Sequence, residues 1–316
     1  MGKDNCFISL SGGKDSTVLL DIVRKDFPDM EAVFINTGLE YPSVRSFAQS
    51  IKNVKTIRPD ITFRDVLARY GYPVISKEIA QCIDEARRAD RTGKYQYRID
   101  KLSGTLKDKN GNLSAFNCAK YKFLLDAPFR ISSQCCTQIK KNPSKQYELL
   151  TGKKPIIGTL AEESRLRRTD WLNNGCNAFT KHRPSSKPLS FWTEQDILQY
   201  IKQNNLEIAS AYGDIVVDDP DSINGQMNLF DLTGDTSGCR LKTTGCSRTG
   251  CIFCLFGITQ DRDRFIRLKN SEPKLYDFVM AGGEFDNKGL WIPNNQGLGY
   301  RYVLEWLNSN GMNINY

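Results

Sequence analysis

Histidine is almost missing from this chain of 316 residues: His182 is the only one. A metal site with two or more imidazole ligands is therefore excluded within one chain, and a Ser-His-Asp or Cys-His arrangement would have to use His182. Flanked by Lys181 and Arg183, that residue reads as an exposed loop position with no catalytic role. Long hydrophobic runs are missing too. No apolar stretch approaches the ~20 residues of a membrane span. The N-terminal run Met1 to Gly13 has no small-residue cleavage site, so it does not read as a signal peptide. Cys6 stands where a myristoylation signal has Ser or Thr. The expectation is a cytoplasmic protein with no membrane association, where thiols stay reduced. No internal repeat and no low-complexity tract occurs.

What is abundant is cysteine, ten residues of it. That points to thiolate chemistry: an iron–sulfur cluster, a Cys-rich zinc site or sulfur transfer. Cys6 and Cys82 stand alone and read as small buried hydrophobes; the closely spaced ones do not. The formal charge is +8, with 40% hydrophobic and 25% charged residues. This is a globular composition, and its basic excess suits a nucleotide or a nucleic acid.

Short apolar runs alternate with helical patterns. Strands are expected at Cys6–Leu10, Ala32–Ile35, Val54–Ile57 and Pro155–Gly158. Helices are expected after Gly13 up to Pro28, over Ser43–Ile51, over Phe63–Tyr70 and over Thr193–Ile201, the last with Thr193 and Asp196 as a capping pair. This alternation predicts an α/β fold with a parallel sheet flanked by helices. Trp192 is expected in its core. Residues 84–126 differ in texture: ten Lys or Arg against six Asp or Glu, with Tyr95 and Tyr97 among them. They read as a basic insertion, with a turn at Asn110-Gly111. Two further helical patterns, Glu272–Met280 and Tyr300–Leu307, close the chain. Domains are expected at 1–213, a nucleotide-binding α/β unit, and 214–316, a Cys-rich C-terminal region with helices.

The sharpest motif is Ser11-Gly12-Gly13-Lys14-Asp15-Ser16, between the first strand and the first helix. Two glycines let backbone approach a phosphate, and the helix N-terminus favours an anion. It is not a Walker A loop, because Asp15 separates Lys14 from Ser16. The motif resembles the SGGxDS loop of the ATP pyrophosphatase family, in which it cradles the pyrophosphate end of ATP. Three later segments resemble the phosphoadenosine phosphosulfate reductase superfamily: Phe34 to Pro42, Gly158 to Arg167, and Pro188 to Asp196. Together they run in the family's order over residues 5 to 205. The resemblance implies an adenine nucleotide alpha hydrolase-like sheet. It also implies nucleotide binding by Ser11, Gly12, Gly13, Lys14, Asp15, Ser16, Thr37 and Gly38, with catalytic work by Asp15, Lys14 and Arg167. ATP, Mg²⁺ and cleavage between the α and β phosphates follow from it.

Cys135-Cys136 followed by Lys140, Lys141 and Pro143 resembles the tandem-Cys segment of iron–sulfur adenylyl-sulfate reductases. Cys251 and Cys254 form a CxxC, a spacing suited to one metal centre. The implied ligands of a [4Fe–4S] cluster are Cys135, Cys136, Cys251 and Cys254. Ser247 to Cys254 also resembles an SRxGCxxC element in the sulfur-activating ATPases of DNA phosphorothioation systems, where Cys246 or Cys239 would be a substitute ligand or sulfur carrier. Zn²⁺ on the same thiolates is the structural alternative. Two departures weigh against a reductase. No Cys follows Cys254, so the reductases' C-terminal nucleophile has no counterpart, and Leu160 stands where they have an anion-binding Arg, with Arg165 or Arg168 left to compensate.

Three functions compete. The first is adenylation of an acceptor by ATP, with pyrophosphate release, coupled to sulfur transfer; a sulfur-donor protein such as a cysteine desulfurase and a nucleic-acid acceptor would be its partners. The second is a divergent adenylyl-sulfate or phosphoadenylyl-sulfate reductase using Cys246 or Cys239. The third is a non-catalytic nucleic-acid-binding module with structural zinc, tracked along basic residues of 84–126 and of 238–275, which hold eight Lys or Arg against three Asp or Glu.

Overall fold

A computed structural model describes residues 3–179, 183–218 and 240–316. His182 and Cys239 lie outside the described residues. In chain order the main elements are β1 (Cys6–Leu10), α1 (Lys14–Asp26), β2 (Ala32–Ile35), α2 (Pro42–Ser50), β3 (Val54–Ile57), α3 (Phe63–Tyr70), α4 (Lys77–Thr92) and α5 (Gln96–Ser103). Next come α6 (Asn142–Thr151), β4 (Lys154–Ile157), α7 (Arg165–Asn174), β5 (Asn177–Ala178), β6 (Ser185–Ser186), α8 (Glu194–Gln203), β7 (Ile215–Val217) and β8 (Leu241–Thr243). The last are α9 (Arg264–Ser271), α10 (Pro273–Met280), β9 (Glu284–Phe285), β10 (Trp291–Ile292) and α11 (Tyr300–Ser309). No helix of the described residues is long and apolar enough to cross a membrane.

The chain divides into two compact units, each built from three stretches. The first comprises Met1–Asn36, Glu40–Arg58 and Pro143–Gly250; the second comprises Thr37–Leu39, Pro59–Asn142 and Cys251–Tyr316.

The first unit holds a six-stranded sheet in the order β3-β2-β1-β4-β6-β5. Every pairing is parallel except that of β5 with β6. The antiparallel edge has only two residues per strand, too short to leave an alternating signal in the sequence. Ile8, Leu10, Ala32 and Phe34 from the central strands meet Val18, Leu19 and Leu20 of α1 and Ile197 and Ile201 of α8 in one core. Each fully buried large aliphatic side chain contributes about 1.5–3 kcal/mol. Trp192 packs against this core, as its sequence context suggests. Thr193 caps α8: its side chain accepts from Asp196 N–H, and Asp196 Oδ2 accepts from Thr193 N–H at 2.7 Å.

The second unit is mostly helical. Its core is an aromatic group in which Tyr72 meets Phe129 and Tyr300 with ring centroids 5.6 and 5.7 Å apart. The expected basic insertion falls here, and four of its ten basic side chains are held by partners in this unit. Arg87 donates to the carbonyls of Leu124, Leu125, Ala127 and Phe129. Arg98 pairs with Glu85, Lys101 with Glu78, and Arg88 with Asp84. Only local charge density is visible in sequence, whereas these partners come from the fold. Asn110-Gly111 does sit in a narrow turn, closed by an antiparallel bridge between Lys107 and Leu113.

Candidate functional site

In the first unit, β1 ends at Leu10 and α1 begins at Lys14, so the Ser11–Gly13 turn lies over the helix N-terminus. Gly12 has φ +73, and a Cβ there would sit 2.8 Å from Val44 Cγ1. No other residue type fits both demands without strain. Gly13 is the N-cap and supplies no side-chain cap to the first turn, leaving that end polarised toward an anion. The two serines brace the turn. Ser11 Oγ and Ser16 Oγ are 3.0 Å apart, Ser11 N–H donates to Ser16 Oγ at 3.1 Å, and Ser16 Oγ donates to Gly13 O at 2.9 Å. The end of β4 closes in from beside it: a Cβ on Gly158 would lie 2.9 Å from Asp15 O.

Residues remote in sequence complete the loop. Lys14 is buried, and its ammonium donates to Ser247 O at 2.9 Å and pairs with Glu194 at 3.0 Å. Tyr212, also buried, accepts from Lys14 N–H at 3.1 Å and shares a 2.6 Å hydrogen bond with Thr249. The stretch Ser247–Thr249 is thereby tied to the phosphate-type loop, which brings in Arg248. Arg248 acts on both Asp15 and Arg167. Burial pushes the Asp15 carboxyl above its ordinary value; Lys14, Arg248 and Arg167 oppose that and Glu194 reinforces it. Asp15 Oδ1 is buried without a hydrogen-bond partner among the described residues and lies 4.0 Å from Lys14 Nζ. Burial, and after it the Arg248 charge, holds Arg167 below its ordinary value. Three cations thus gather around Asp15, with Glu194 paired to Lys14 and Glu163 to Arg167, so a polyphosphate with a divalent ion would have to take over these cations from their carboxylate partners.

Arg167 also pairs with Glu163 and follows the N-cap Ser164, which accepts from Arg167 N–H at 3.3 Å. It lines a cavity of about 150 Å³ with Thr159, Asp170, Trp171 and Lys187. Leu160, at the position of the reductases' anion-binding Arg, packs into the sheet core and borders the same cavity, where its side chain offers an anion no hydrogen bond. Arg165 and Arg168 are exposed. Cys246 is half-buried in this unit, with its N–H donating to Ala211 O at 2.8 Å. Thr37 and Gly38 group with the second unit, where Thr37 Oγ1 accepts from Leu39 N–H at 3.2 Å. Of the expected residues, Ser11, Gly12, Gly13, Lys14, Asp15, Ser16 and Arg167 come together. Tyr212, Glu194 and the loop contact of Arg248 escaped sequence reading. The Ser247-Arg248 motif was the only available signal, and it does not say which element it touches.

In the second unit, Cys135 and Cys136 lead directly into a π turn at Thr137–Lys141. π turns inside helices often mark functional positions. Cys251 and Cys254 lie in a tight turn: Cys254 N–H donates to Cys251 O at 3.1 Å, and Phe256 N–H donates to Cys254 Sγ at 3.4 Å. All four thiols feel one another. The hydrogen bond with Cys136, then burial, then Cys251, Cys136 and Cys254 push the Cys135 thiol up. The same hydrogen bond, with the ammonium groups of Lys77 and Lys140, holds Cys136 low. Burial, then Cys251, pushes Cys254 up to about 12. Ile75 adopts φ +65, which is unfavourable for a β-branched residue. It leads into Ser76, the N-cap of α4, and so sets the start of the helix that carries Lys77.

Neighbouring thiols push Cys135 and Cys254 up, an effect that a bound cation would relieve. Thiolates are the donor type that an iron–sulfur cluster or zinc takes. Among the described residues, however, no group of three or more His, Cys, Asp or Glu stands at ligating geometry.

The phosphoadenosine phosphosulfate reductase domain model matches residues 5–255. Among solved structures, the phosphate complex of phosphoadenylyl-sulfate (PAPS) reductase from Candida auris is similar at 12% identity, over 65% of this chain and 75% of that one, with a TM-score of 0.35. No curated protein matches the chain.

Proposed function

The chain belongs to the phosphoadenosine phosphosulfate reductase domain family, and from that premise we propose that it is an ATP-dependent adenylating enzyme coupled to sulfur transfer. The observation that carries this reading is the cationic loop. Lys14, Arg167 and Arg248 act on Asp15, whose Oδ1 is buried and lacks a hydrogen-bond partner among the described residues. The loop N–H groups and Lys14 would hold the β and γ phosphates of ATP, and Asp15 would hold Mg²⁺. An acceptor oxygen attacks the α phosphorus, the bond from that phosphorus to the β-phosphate oxygen breaks, and pyrophosphate leaves with the electron pair. Arg167 and Arg248 would offset the charge that develops on the departing oxygens. Lys14 must exchange its contact with Glu194 for phosphate, so Glu194 holds the loop in a neutralised form until a nucleotide arrives.

Cys135, Cys136, Cys251 and Cys254 would hold the metal group. A [4Fe–4S] cluster there would supply redox-active, thiolate-ligated iron at which sulfur can be handled. Lys77 and Lys140 favour the ionised Cys136 that such ligation requires.

Family membership favours a second reading, a divergent adenylyl-sulfate or phosphoadenylyl-sulfate reductase. The buried Leu160 counts against it. Two assays separate the readings. With Mg²⁺, ATP and a panel of acceptors, adenylation releases pyrophosphate, and Asp15→Ala or Ser16→Ala abolishes release. Sulfite formation from adenylyl sulfate or phosphoadenylyl sulfate with a thiol donor, without ATP, would instead establish the reductase and overturn the adenylation reading.

A further inference from the structure

The first turn of α1 is capped from far away in sequence. Its N-cap, Gly13, has no side chain, and the Lys14 N–H donates instead to the hydroxyl of Tyr212 at 3.1 Å. That hydroxyl lies over the turn: a Cβ built on Gly13 would be 3.2 Å from Tyr212 Oη and 3.6 Å from Thr249 Oγ1. A helix start is where an anion would sit. The Lys14 ammonium is engaged as well, by Ser247 O at 2.9 Å and by Glu194 at 3.0 Å. Two donors that a polyphosphate needs are therefore held by a phenol, a carbonyl and a carboxylate of this chain.

The covering segments are laced into one piece. Tyr212 ends a short turn, Ser210–Tyr212, and packs against Val44 of α2. Gly245 N–H donates to Tyr212 O and Cys246 N–H to Ala211 O, both at 2.8 Å. A Cβ on Gly245 would lie 2.4 Å from Ala211 O, so this approach admits only glycine. Tyr212 Oη and Thr249 Oγ1, 2.6 Å apart, join the two segments above the loop. The contacts from this piece to Lys14 are of an exchangeable kind, because a charged phosphate oxygen is a stronger acceptor than a phenol or a carbonyl.

We propose that Tyr212, the Ser247–Thr249 stretch and Glu194 form a plug on the polyphosphate position of the loop, which the terminal phosphates of a nucleotide displace. This rests on the reading of Ser11–Ser16 as an ATP loop. The consequence is selection by charge: a ligand enters by replacing the phenol at the Lys14 N–H and the carboxylate at the ammonium together. A pyrophosphate or triphosphate group meets that demand, and a single monoanionic group does not. Tyr212 and Glu194 are positioning residues and take no part in the chemical step. Contacts made only before the nucleotide binds oppose binding, so removing one of them tightens it.

The test titrates the full chain calorimetrically, in the presence of Mg²⁺, with ATP and with inorganic pyrophosphate as a probe of the loop alone. Tyr212→Phe keeps the ring and is expected to lower Kd for both ligands about 2- to 10-fold, the worth of one neutral hydrogen bond. Glu194→Gln lowers Kd too, and this arm stands even if Tyr212→Phe fails to fold. Urea unfolding gives a second readout: Tyr212→Phe is less stable than wild type without ligand, and saturating pyrophosphate abolishes the difference. A hydroxyl that merely braces the fold would lower stability equally with and without ligand and leave Kd unchanged. That result, or weaker binding in Tyr212→Phe, overturns the plug, while ATP binding by wild type keeps the loop reading intact. No binding of ATP or pyrophosphate by wild type or by either variant overturns the loop reading itself, and the proposal with it.

Discussion

Replacing Arg248 by alanine separates binding from stability at the phosphate-type loop. Arg248 is exposed, on a stretch fixed to the loop through Lys14 and Ser247 O. In the absence of an anion it repels Arg167, whose side chain is 44% exposed, so solvent screens much of that repulsion. Its removal therefore leaves folding stability within about 0.5 kcal/mol of wild type. A nucleotide complex is different, because there Arg248 has a phosphate to meet. A charge-assisted hydrogen bond of that kind is worth about 1.5–3 kcal/mol. That amounts to roughly a 10- to 100-fold rise in Kd. Calorimetric titration with ATP and Mg²⁺ reads the affinity, and urea unfolding of the same samples reads the stability. Arg248→Lys recovers part of the affinity, since it keeps the charge but loses the planar fork. A Kd within about threefold of wild type would refute the reasoning, because the residue would then lie outside the polyphosphate site. A large loss of stability would refute it differently, by making Arg248 structural.

The remaining predictions concern stability. Glu85→Ala leaves the mostly buried Arg98 without its partner and costs about 3 kcal/mol near neutral pH. Burial raises the Glu85 carboxyl, but Gln81, Arg98 and Tyr97 outweigh it and hold the group below the ordinary value of 4.5. With its folded value depressed, the stabilisation is complete above 4.5 and is lost as pH falls through the lower folded value. Urea midpoints of wild type and variant measured on either side of that window should converge on the acid side; a constant gap across pH would contradict the ion-pair account. Thr193→Ala removes the N-cap of α8 and costs about 1 kcal/mol in the same assay, whereas no change would mean that Asp196 alone caps the helix.

The sheet was legible because its central strands are short apolar runs bounded by turn residues. Cys6–Leu10, Ala32–Ile35 and Val54–Ile57 are strands over the expected ranges. Thr193 and Asp196 were legible because a capping pair is local, with both partners within one helical turn. The phosphate-type loop was legible for the same reason. Its second layer was not: Tyr212 meets Lys14 across 198 residues, and Lys14 pairs with Glu194 on another helix. No periodicity or spacing encodes such contacts. The partners of the basic insertion were not legible either, because an arginine looks alike in sequence whether it faces water or, like Arg87, caps four carbonyls.

The account depends most directly on whether the Ser11–Ser16 loop takes ATP with a divalent ion. Titrating the intact chain with ATP, with and without Mg²⁺, and with adenylyl sulfate measures this in wild type and in Asp15→Asn. The account predicts Mg²⁺-dependent ATP binding that exceeds adenylyl sulfate binding, and loss of the Mg²⁺ dependence in Asp15→Asn. Binding of adenylyl sulfate alone, unchanged by Asp15→Asn, would contradict it.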